Sequence, residues 1–230
     1  MSTLPLTYRF QPPRQTSPGS APLLVMLHGI GSHEGDLIQL APYLDPRFAV
    51  VSLRAPLPLP MGGFAWFEMT WTEEGLVGNV PQARTSLHLL STFLNQVLQE
   101  GIPDVAFDPA QVYLLGFSQG GIMSLSLALT QPEKLAGVVV MSGRLPVEAV
   151  AEAAPPESLQ NLSILAVHGK QDAVLPIDCG REIRDHFTRL PLRFTYYEYD
   201  MGHEVSPQSL LDIQAWLQNA LDEQRGQRSR

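Results

Sequence analysis

Short runs that are apolar at nearly every position recur along the chain. After an early run at Leu6–Phe10, they lie at Leu23–Leu27, Phe48–Leu53, Val112–Phe117, Gly137–Met141 and Ile164–Val167. Continuous rather than alternating apolar runs are typical of parallel strands that are covered by helices on both faces. A last run, Arg193–Tyr199, alternates more and is rich in tyrosine, so we expect it to form an outer strand.

Helical patterns separate these runs. Residues Pro81–Glu100 carry leucine and valine at three-to-four spacing, and Gly121–Thr130 is apolar nearly all round, which predicts a buried helix. Ser206 and Pro207 predict the N-cap and first turn of a C-terminal helix. Because strands alternate with helices, we expect an α/β fold with a mainly parallel central sheet and helices on both faces. We expect residues 1–230 to form a single domain without a large lid.

One stretch, Ala55–Asn79, interrupts the alternation of strands and helices. It contains three prolines, the pair Gly62–Gly63, and the aromatic residues Trp66 and Phe67. The sequence predicts a long irregular insertion here. Insertions of this length inside a compact domain are usually functional.

Composition narrows the classes of partner. Fifteen lysines and arginines against 23 aspartates and glutamates give a net charge of −8, which argues against a nucleic-acid partner. No apolar stretch approaches the ~18 residues needed for stable membrane insertion, and the first ten residues lack a signal-peptide pattern. The single cysteine, Cys179, cannot form an internal disulfide and favours a reducing compartment. We therefore expect a soluble, cytoplasmic protein.

The most specific local motif is Gly116-Phe117-Ser118-Gln119-Gly120, which fits the pattern G-x-S-x-G. It lies directly after a predicted buried strand and before a predicted buried helix. A nucleophile elbow needs this context, because the chain turns sharply there and glycines remove side chains that would collide. The motif predicts that Ser118 is the nucleophile of a serine hydrolase with the α/β-hydrolase fold.

A serine hydroxyl needs an adjacent base, and in this fold the partners follow in the order serine, acid, histidine. Asp172 follows the strand at Ile164–Val167, and His203 follows the strand at Arg193–Tyr199. We expect His203 to accept the proton of Ser118 and return it to the leaving group. Asp172 would orient the imidazole and stabilise its cation.

Other titratable residues have simpler interpretations. His28 and His168 end strands, and we favour hydrogen-bonded structural roles for both. His28, His33, Glu34 and Asp36 together match no metal-ligand spacing, so we expect no metal site. No glycine-rich nucleotide motif is present, and we expect no cofactor.

An acyl-transfer enzyme also needs donors aimed at the developing oxyanion. One is expected from the backbone N–H of Gln119, the residue after the nucleophile. The second is expected from the loop after the first buried strand, His28-Gly29-Ile30-Gly31, with the N–H of Ile30 as the donor.

Taken together, these motifs resemble the phospholipase/carboxylesterase family, which includes bacterial carboxylesterases and acyl-protein thioesterases. The resemblance extends from about Leu23 to Leu221 and rests on four segments: Leu27-His28-Gly29-Ile30-Gly31, Gly116-Phe117-Ser118-Gln119-Gly120-Gly121, His168-Gly169-Lys170-Gln171-Asp172-Ala173-Val174-Leu175-Pro176 and Gly202-His203-Glu204. It implies a carboxylesterase with the triad Ser118, Asp172 and His203, an oxyanion hole from Ile30 and Gln119, and no metal or organic cofactor.

The resemblance also bears on the substrate. Residues 61–67 resemble a family Trp-Phe-Asp stretch beside the acyl pocket, which implies substrate contacts for Trp66 and Phe67. Val174, in the segment that carries Asp172, is a third expected substrate contact. Two departures concern the acyl-chain and leaving-group preference: Glu68 replaces the aspartate of that stretch, and Ser32 follows the oxyanion loop where the family commonly has aspartate.

The substrate is therefore expected to be a small ester or thioester, with lysophospholipids and a homodimeric state left open. Two alternatives also remain open. One is an amidase, peptidase or lactone hydrolase with the same triad, and the other is a non-catalytic binding protein of the hydrolase fold.

Overall fold

The fold is built on one seven-stranded sheet. The structure, a computed structural model, describes residues 3–15, 20–72, 75–102 and 105–228. The strands of this sheet are β1 (Tyr8–Gln11), β2 (Ala21–Leu27), β3 (Ala49–Leu53), β8 (Phe107–Phe117), β9 (Gly137–Met141), β10 (Ser163–Gly169) and β11 (Arg193–Tyr199). Their order is β1-β3-β2-β8-β9-β10-β11. All neighbours pair in parallel except β1, which runs antiparallel to β3 at one edge. The predicted α/β fold is confirmed, with β11 as the outer strand at the other edge.

Helices cover both faces of the sheet. The longer ones are α1 (Val80–Glu100), α2 (Gln119–Thr130), α4 (Ile177–Phe187) and α5 (Pro207–Arg228), and α3 (Val147–Ala151) is short. Within the described residues, three 3₁₀ segments lie at Leu37–Tyr43, Pro132–Lys134 and Pro156–Leu159. As predicted, Ser206 caps α5, since its Oγ accepts the N–H of Ser209 at 3.2 Å.

Two hydrophobic clusters lie on opposite sides of the sheet. In β2, Leu23, Val25 and Leu27 belong to the cluster that contains buried residues of α1, α2 and α4. Leu24 and Met26 belong to the other cluster, which contains buried residues of α5 and of the first 3₁₀ segment. Alternate side chains of a strand point to opposite faces, so a strand covered on both sides must be apolar throughout. This accounts for the continuous apolar runs.

The stretch Ala55–Asn79 is not irregular, and this prediction was wrong. It forms two small antiparallel hairpins: β4 (Leu57–Pro58) with β5 (Phe64–Ala65), and β6 (Met69–Thr72) with β7 (Gly75–Gly78). Residues 73 and 74 lie outside the described part of the chain. The first hairpin turns through Gly62 and Gly63, both with positive φ, which glycine adopts without steric cost. It packs against the loop after β2, where a Cβ on Gly63 would lie 2.0 Å from the carbonyl oxygen of Gly31.

Candidate active site

The turn between β8 and α2 has the strained geometry that the motif predicts. Ser118 has φ 52° and ψ −117°, a conformation that non-glycine residues rarely adopt. A Cβ on Gly116 would lie 2.3 Å from the carbonyl oxygen of Gly120, and a Cβ on Gly120 would lie 1.9 Å from that of Leu27. Both positions therefore require glycine. The turn holds Ser118 at the carboxyl edge of the sheet, where its N–H donates to the carbonyl of Met141 at 2.9 Å.

Asp172 and His203 are hydrogen-bonded to each other. They follow β10 and β11, and the Nδ1 atom of His203 lies 2.7 Å from Oδ2 of Asp172. The other carboxylate oxygen, Oδ1, accepts the backbone N–H groups of Val174 at 2.9 Å and Leu175 at 2.8 Å. Two parallel strands that are neighbours in the sheet thus bring together two side chains that are 31 residues apart in the sequence.

The surroundings of the Asp172 carboxyl group favour its ionised form. Burial alone would raise its pKa, because burial disfavours the charged form. The hydrogen bonds from His203 and from the backbone N–H groups of Leu175 and Val174 outweigh that effect, and they hold the pKa below its ordinary value. Asp172 can therefore hold the imidazole as a charged acceptor.

His203 lies beside the strained turn. Its ring packs on the ring of Phe117, with 4.9 Å between the centroids, and Phe117 directly precedes Ser118. The side chain of His203 is 17% exposed, whereas that of Asp172 is fully buried. An imidazole with one buried, anchored side and one accessible side has the arrangement that a general base needs.

The loop after β2 lies against Ser118. A Cβ on Gly29 would lie 3.3 Å from the Cβ of Ser118 and 3.2 Å from the ring of Phe117, so the backbone approaches the turn closely. Ile30 follows on this loop and is 43% exposed. Gln119 is the first residue of α2, where backbone N–H groups have no partner within the helix. The two predicted oxyanion donors therefore belong to two backbone segments that meet at Ser118.

An ion pair supports this loop from the outside. Arg54, which follows β3, donates to both carboxylate oxygens of Glu34 at 2.6 and 2.7 Å. Its guanidinium also lies over the ring of Phe64, 4.6 Å from the centroid. Phe64 in turn exchanges backbone hydrogen bonds with the loop: its N–H donates to Ser32 and its carbonyl accepts from Gly31, both at 2.9 Å. The hydrogen bonds from Arg54 lower the pKa of Glu34 to about 2.

The side chain of Gln119 has a structural role that the sequence did not reveal. It is buried, its Oε1 accepts the backbone N–H of Trp66 at 2.7 Å, and its Nε2 donates to the carbonyl of Phe67 at 2.6 Å. The two partners lie more than 50 residues away in the sequence. Gln119 therefore fastens the Trp66–Phe67 segment to the start of α2.

The three predicted substrate-contacting residues lie in different environments. Trp66 has no exposed surface, and its indole N–H donates to the carbonyl of His28 at 3.0 Å. In this structure it stabilises the loop after β2 from the protein interior. Phe67 is also nearly buried, but it lines a cavity described below. Val174 is 53% exposed on the loop that carries Asp172. Substrate contact stays a prediction for Phe67 and Val174, whereas the burial of Trp66 argues against it.

His28 and His168 are both buried and hydrogen-bonded to backbone atoms. His28 Nδ1 lies 2.7 Å from the carbonyl of Gly29, and its Nε2 accepts the N–H of Ala55 at 3.1 Å. Burial lowers the pKa of His28, which keeps the ring neutral. His168 Nε2 donates to the carbonyl of Leu175 at 2.8 Å and lies 3.6 Å from Oδ2 of Asp172. Their surroundings agree with the structural interpretation of both histidines.

A narrow cavity begins about one helical turn after Ser118. It lies between α1, α2 and α3, and its walls include Phe67, Ile122 and Met123. About 50 Å³ of it is wide enough for a water molecule to occupy, and the ion pair between Arg84 and Glu152 lies at its wall. One water needs roughly 10–15 Å³ on this measure, so the cavity matches a slender chain of a few carbon atoms.

Across the described residues, no group of three or more histidine, cysteine, aspartate and glutamate side chains has the geometry to hold a metal ion. No helix in those parts of the chain is long and apolar enough to cross a membrane.

Comparison with known proteins gives a consistent picture. Residues 15–221 match the phospholipase/carboxylesterase family. The chain is 28% identical to acyl-protein thioesterase 1 of Kluyveromyces lactis, and the match covers 86% of this chain and 92% of the relative. It is 25% identical to acyl-protein thioesterase 1 of Saccharomyces cerevisiae, and that match covers 96% of this chain and 99% of the relative. A Bacillus cereus carboxylesterase superposes with a TM-score of 0.80 at 20% identity, covering 94% of both chains. Esterase PE8 superposes with a TM-score of 0.78 at 26% identity, and the match covers 94% of this chain and 99% of the esterase chain.

Proposed function

Since this chain belongs to the phospholipase/carboxylesterase family and is a hydrolase, we propose that it is a serine carboxylesterase acting through an acyl-enzyme on Ser118. The observation that carries the proposal is the 2.7 Å hydrogen bond between His203 and Asp172 beside the strained turn of Ser118. It supplies a base, and an anion that orients it, next to a hydroxyl that would otherwise be a weak nucleophile.

The proposed mechanism has two halves. In the first, His203 accepts the proton of Ser118 as Oγ attacks the ester carbonyl, and the oxyanion accepts hydrogen bonds from the N–H groups of Ile30 and Gln119. The tetrahedral intermediate then collapses, His203 returns the proton to the departing alcohol, and an acyl-serine remains. In the second half, water gives a proton to His203 as it attacks the acyl carbonyl. The second tetrahedral intermediate collapses, His203 returns that proton to Oγ of Ser118, and the carboxylic acid is released.

We propose that the acyl chain enters the cavity lined by Phe67, Ile122 and Met123. The cavity is narrow, and its wall residue Ile122 lies four residues after Ser118 on α2, which favours short, unbranched acyl groups. No cofactor takes part in the proposed steps. The proposed substrate is a small ester, and thioesters of the same acyl groups would follow the same path.

Kinetics of single-site variants test this proposal. We expect Ser118→Ala and Asp172→Asn each to lower kcat for phenyl acetate by about 10³-fold or more. The first substitution removes the nucleophile, and the second leaves the imidazole without its anionic partner. Asp178→Asn is a matched control that removes an exposed carboxylate on α4 and should retain wild-type kcat. An Asp172→Asn variant with near wild-type kcat would contradict the assigned acid.

The amidase and peptidase alternative is separated by the leaving group. Acetanilide and phenyl acetate carry the same acyl group, so their kcat/KM ratio isolates the bond that is broken. We expect the ester to be preferred by several orders of magnitude. A ratio near one would favour the alternative.

A further inference from the structure

A second space borders the candidate active site, on the other face of the sheet from the acyl cavity. It is a groove whose walls are formed by Asp36, Leu37, Gln39, Leu40, Phe117 and Val205. Its apolar walls belong to, or pack against, the hydrophobic cluster that contains α5. Phe67, Ile122 and Met123 of the acyl cavity belong to the opposite cluster. The two spaces therefore lie on either side of the turn that carries Ser118.

The chemistry of acyl transfer assigns different substrate parts to the two sides. The acyl group stays on Ser118. The leaving group receives its proton from the general acid, so it must lie on the side of Ser118 where the general acid is. The groove is on the side of His203: its wall residue Phe117 packs on the His203 ring with 4.9 Å between centroids, and Val205 follows His203 by two residues.

We propose that this groove binds the leaving group of the ester and selects an apolar alcohol that carries no anionic group, such as a phenol or a naphthol. The proposal rests on the function proposed above. Four apolar side chains supply the walls, which suits an aromatic or branched body. Partial burial of Leu40, Phe117 and Val205 leaves each of them some surface to offer such a body.

The charge at the groove mouth disfavours an anionic alcohol. Asp36 is exposed there, and its carboxylate accepts the hydroxyl of Ser32 at 2.6 Å. None of the groove's lining residues among the described ones is a lysine or arginine, and the whole chain carries a net charge of −8. A phosphate or carboxylate on the leaving group would therefore be repelled rather than paired.

The size of the leaving group provides the first test. Methyl, phenyl and 2-naphthyl acetate vary the alcohol, whereas phenyl acetate, butyrate and hexanoate vary the acyl group. We expect Leu40→Ala to lower the 2-naphthyl to methyl ratio of kcat/KM by about tenfold and to leave the acyl series unchanged. The matched variant Met123→Ala, in the acyl cavity, should change only the acyl series. The value of kcat/KM is the correct readout because it reports acylation, the step in which the alcohol is still bound.

The charge of the leaving group provides the second test, at a position where a folding defect is not expected because the side chain is exposed. Asp36→Lys should raise kcat/KM for 3-carboxyphenyl acetate relative to phenyl acetate by about fivefold at low salt, and the gain should vanish in 1 M NaCl. Asp185→Lys changes the net charge equally on the exposed surface of α4 and should leave the ratio unchanged.

The outcomes separate the two proposals. If both groove variants leave the alcohol ratios unchanged while hydrolysis still depends on Ser118, the groove assignment is overturned and the proposed function stands. If Met123→Ala moves the alcohol series instead, the two sides have been assigned in the wrong order. If the wild-type protein hydrolyses none of these esters, both proposals fail.

Discussion

The buried side chain of Gln119 provides a quantitative test of how the site is held together. Gln119→Leu keeps most of the side-chain volume but removes both hydrogen bonds to the Trp66–Phe67 segment. The N–H of Trp66 and the carbonyl of Phe67 would then be buried without partners, at about 1–3 kcal/mol each. We expect a loss of about 2–6 kcal/mol in the free energy of unfolding. The corresponding decrease in Tm is roughly 5–20 °C for a protein of this size.

Gln119→Glu gives a pH-dependent version of the same perturbation. Its carboxylate can still accept from Trp66, but only the protonated acid can donate to the carbonyl of Phe67. The folded-state pKa of the new glutamate is therefore raised above its unfolded value of about 4.3. The group contributes its full stability below that value, and the contribution is lost as pH rises through the folded pKa. The Glu variant should approach wild-type stability near pH 4–5 and fall behind at pH 8, whereas the deficit of the Leu variant stays constant.

Denaturant unfolding at pH 5 and pH 8, followed by tryptophan fluorescence, measures these differences. Gln82→Leu is the matched control: Gln82 also accepts a backbone N–H, that of Glu68 at 2.7 Å, but this hydrogen bond lies at the surface and water can replace it. We expect that variant to lose less than about 0.5 kcal/mol. If Gln119→Leu behaves like Gln82→Leu, and Gln119→Glu shows no dependence on pH, the reasoning about this segment is refuted.

Three further predictions concern the scaffold of the site. The pKa of Glu34 is depressed, so its pair with Arg54 stabilises the fold above the unfolded pKa of about 4.3, and this contribution is lost as pH falls towards 2. Because Arg54 is partly exposed, solvent weakens this pair. We therefore expect Arg54→Met to cost about 1 kcal/mol in unfolding free energy at pH 7 and almost nothing at pH 2. Equal costs at the two pH values would contradict this. Gly120→Ala places a Cβ 1.9 Å from a backbone carbonyl of β2 and should prevent folding to the native state, as judged by circular dichroism. Gly62→Ala meets no atom within 4 Å and should cost only about 1–2 kcal/mol through its positive φ, so similar losses would be evidence against steric control. His168→Leu should lower kcat about tenfold by freeing the carbonyl of Leu175 beside Asp172, with partial rescue in His168→Gln; a fall in Tm without any change in kcat would contradict a positioning role.

Much of the fold could be predicted because it depends on local patterns. The buried strands were identified from their apolar runs, and β9 and β11 have the predicted bounds. The strand-turn-helix around Ser118 followed from glycines that the turn requires sterically. Asp172 and His203 were identified from their positions after adjacent strands, and the hydrogen bond between them is consistent with that prediction.

The features that were missed depend on contacts between distant segments. The hairpins in Ala55–Asn79 have strands of two and four residues, which are too short to show a period of two. The side-chain bonds of Gln119 have no sequence signal, because an amide that bridges two backbone groups resembles any other glutamine. Trp66 was expected to contact the substrate, yet the carbonyl of His28 offers its indole N–H a partner in the interior.

The identity of the nucleophile is tested most directly by active-site labelling. The wild-type protein is treated with a fluorophosphonate probe, and the modified residue is located by mass spectrometry of peptides. We predict a single adduct on Ser118, no adduct in Ser118→Ala, and wild-type labelling in Ser124→Ala, which removes a buried hydroxyl from the same helix. Equal labelling of Ser118→Ala, or an adduct on another residue of the wild-type protein, would contradict the assignment of Ser118 as the nucleophile.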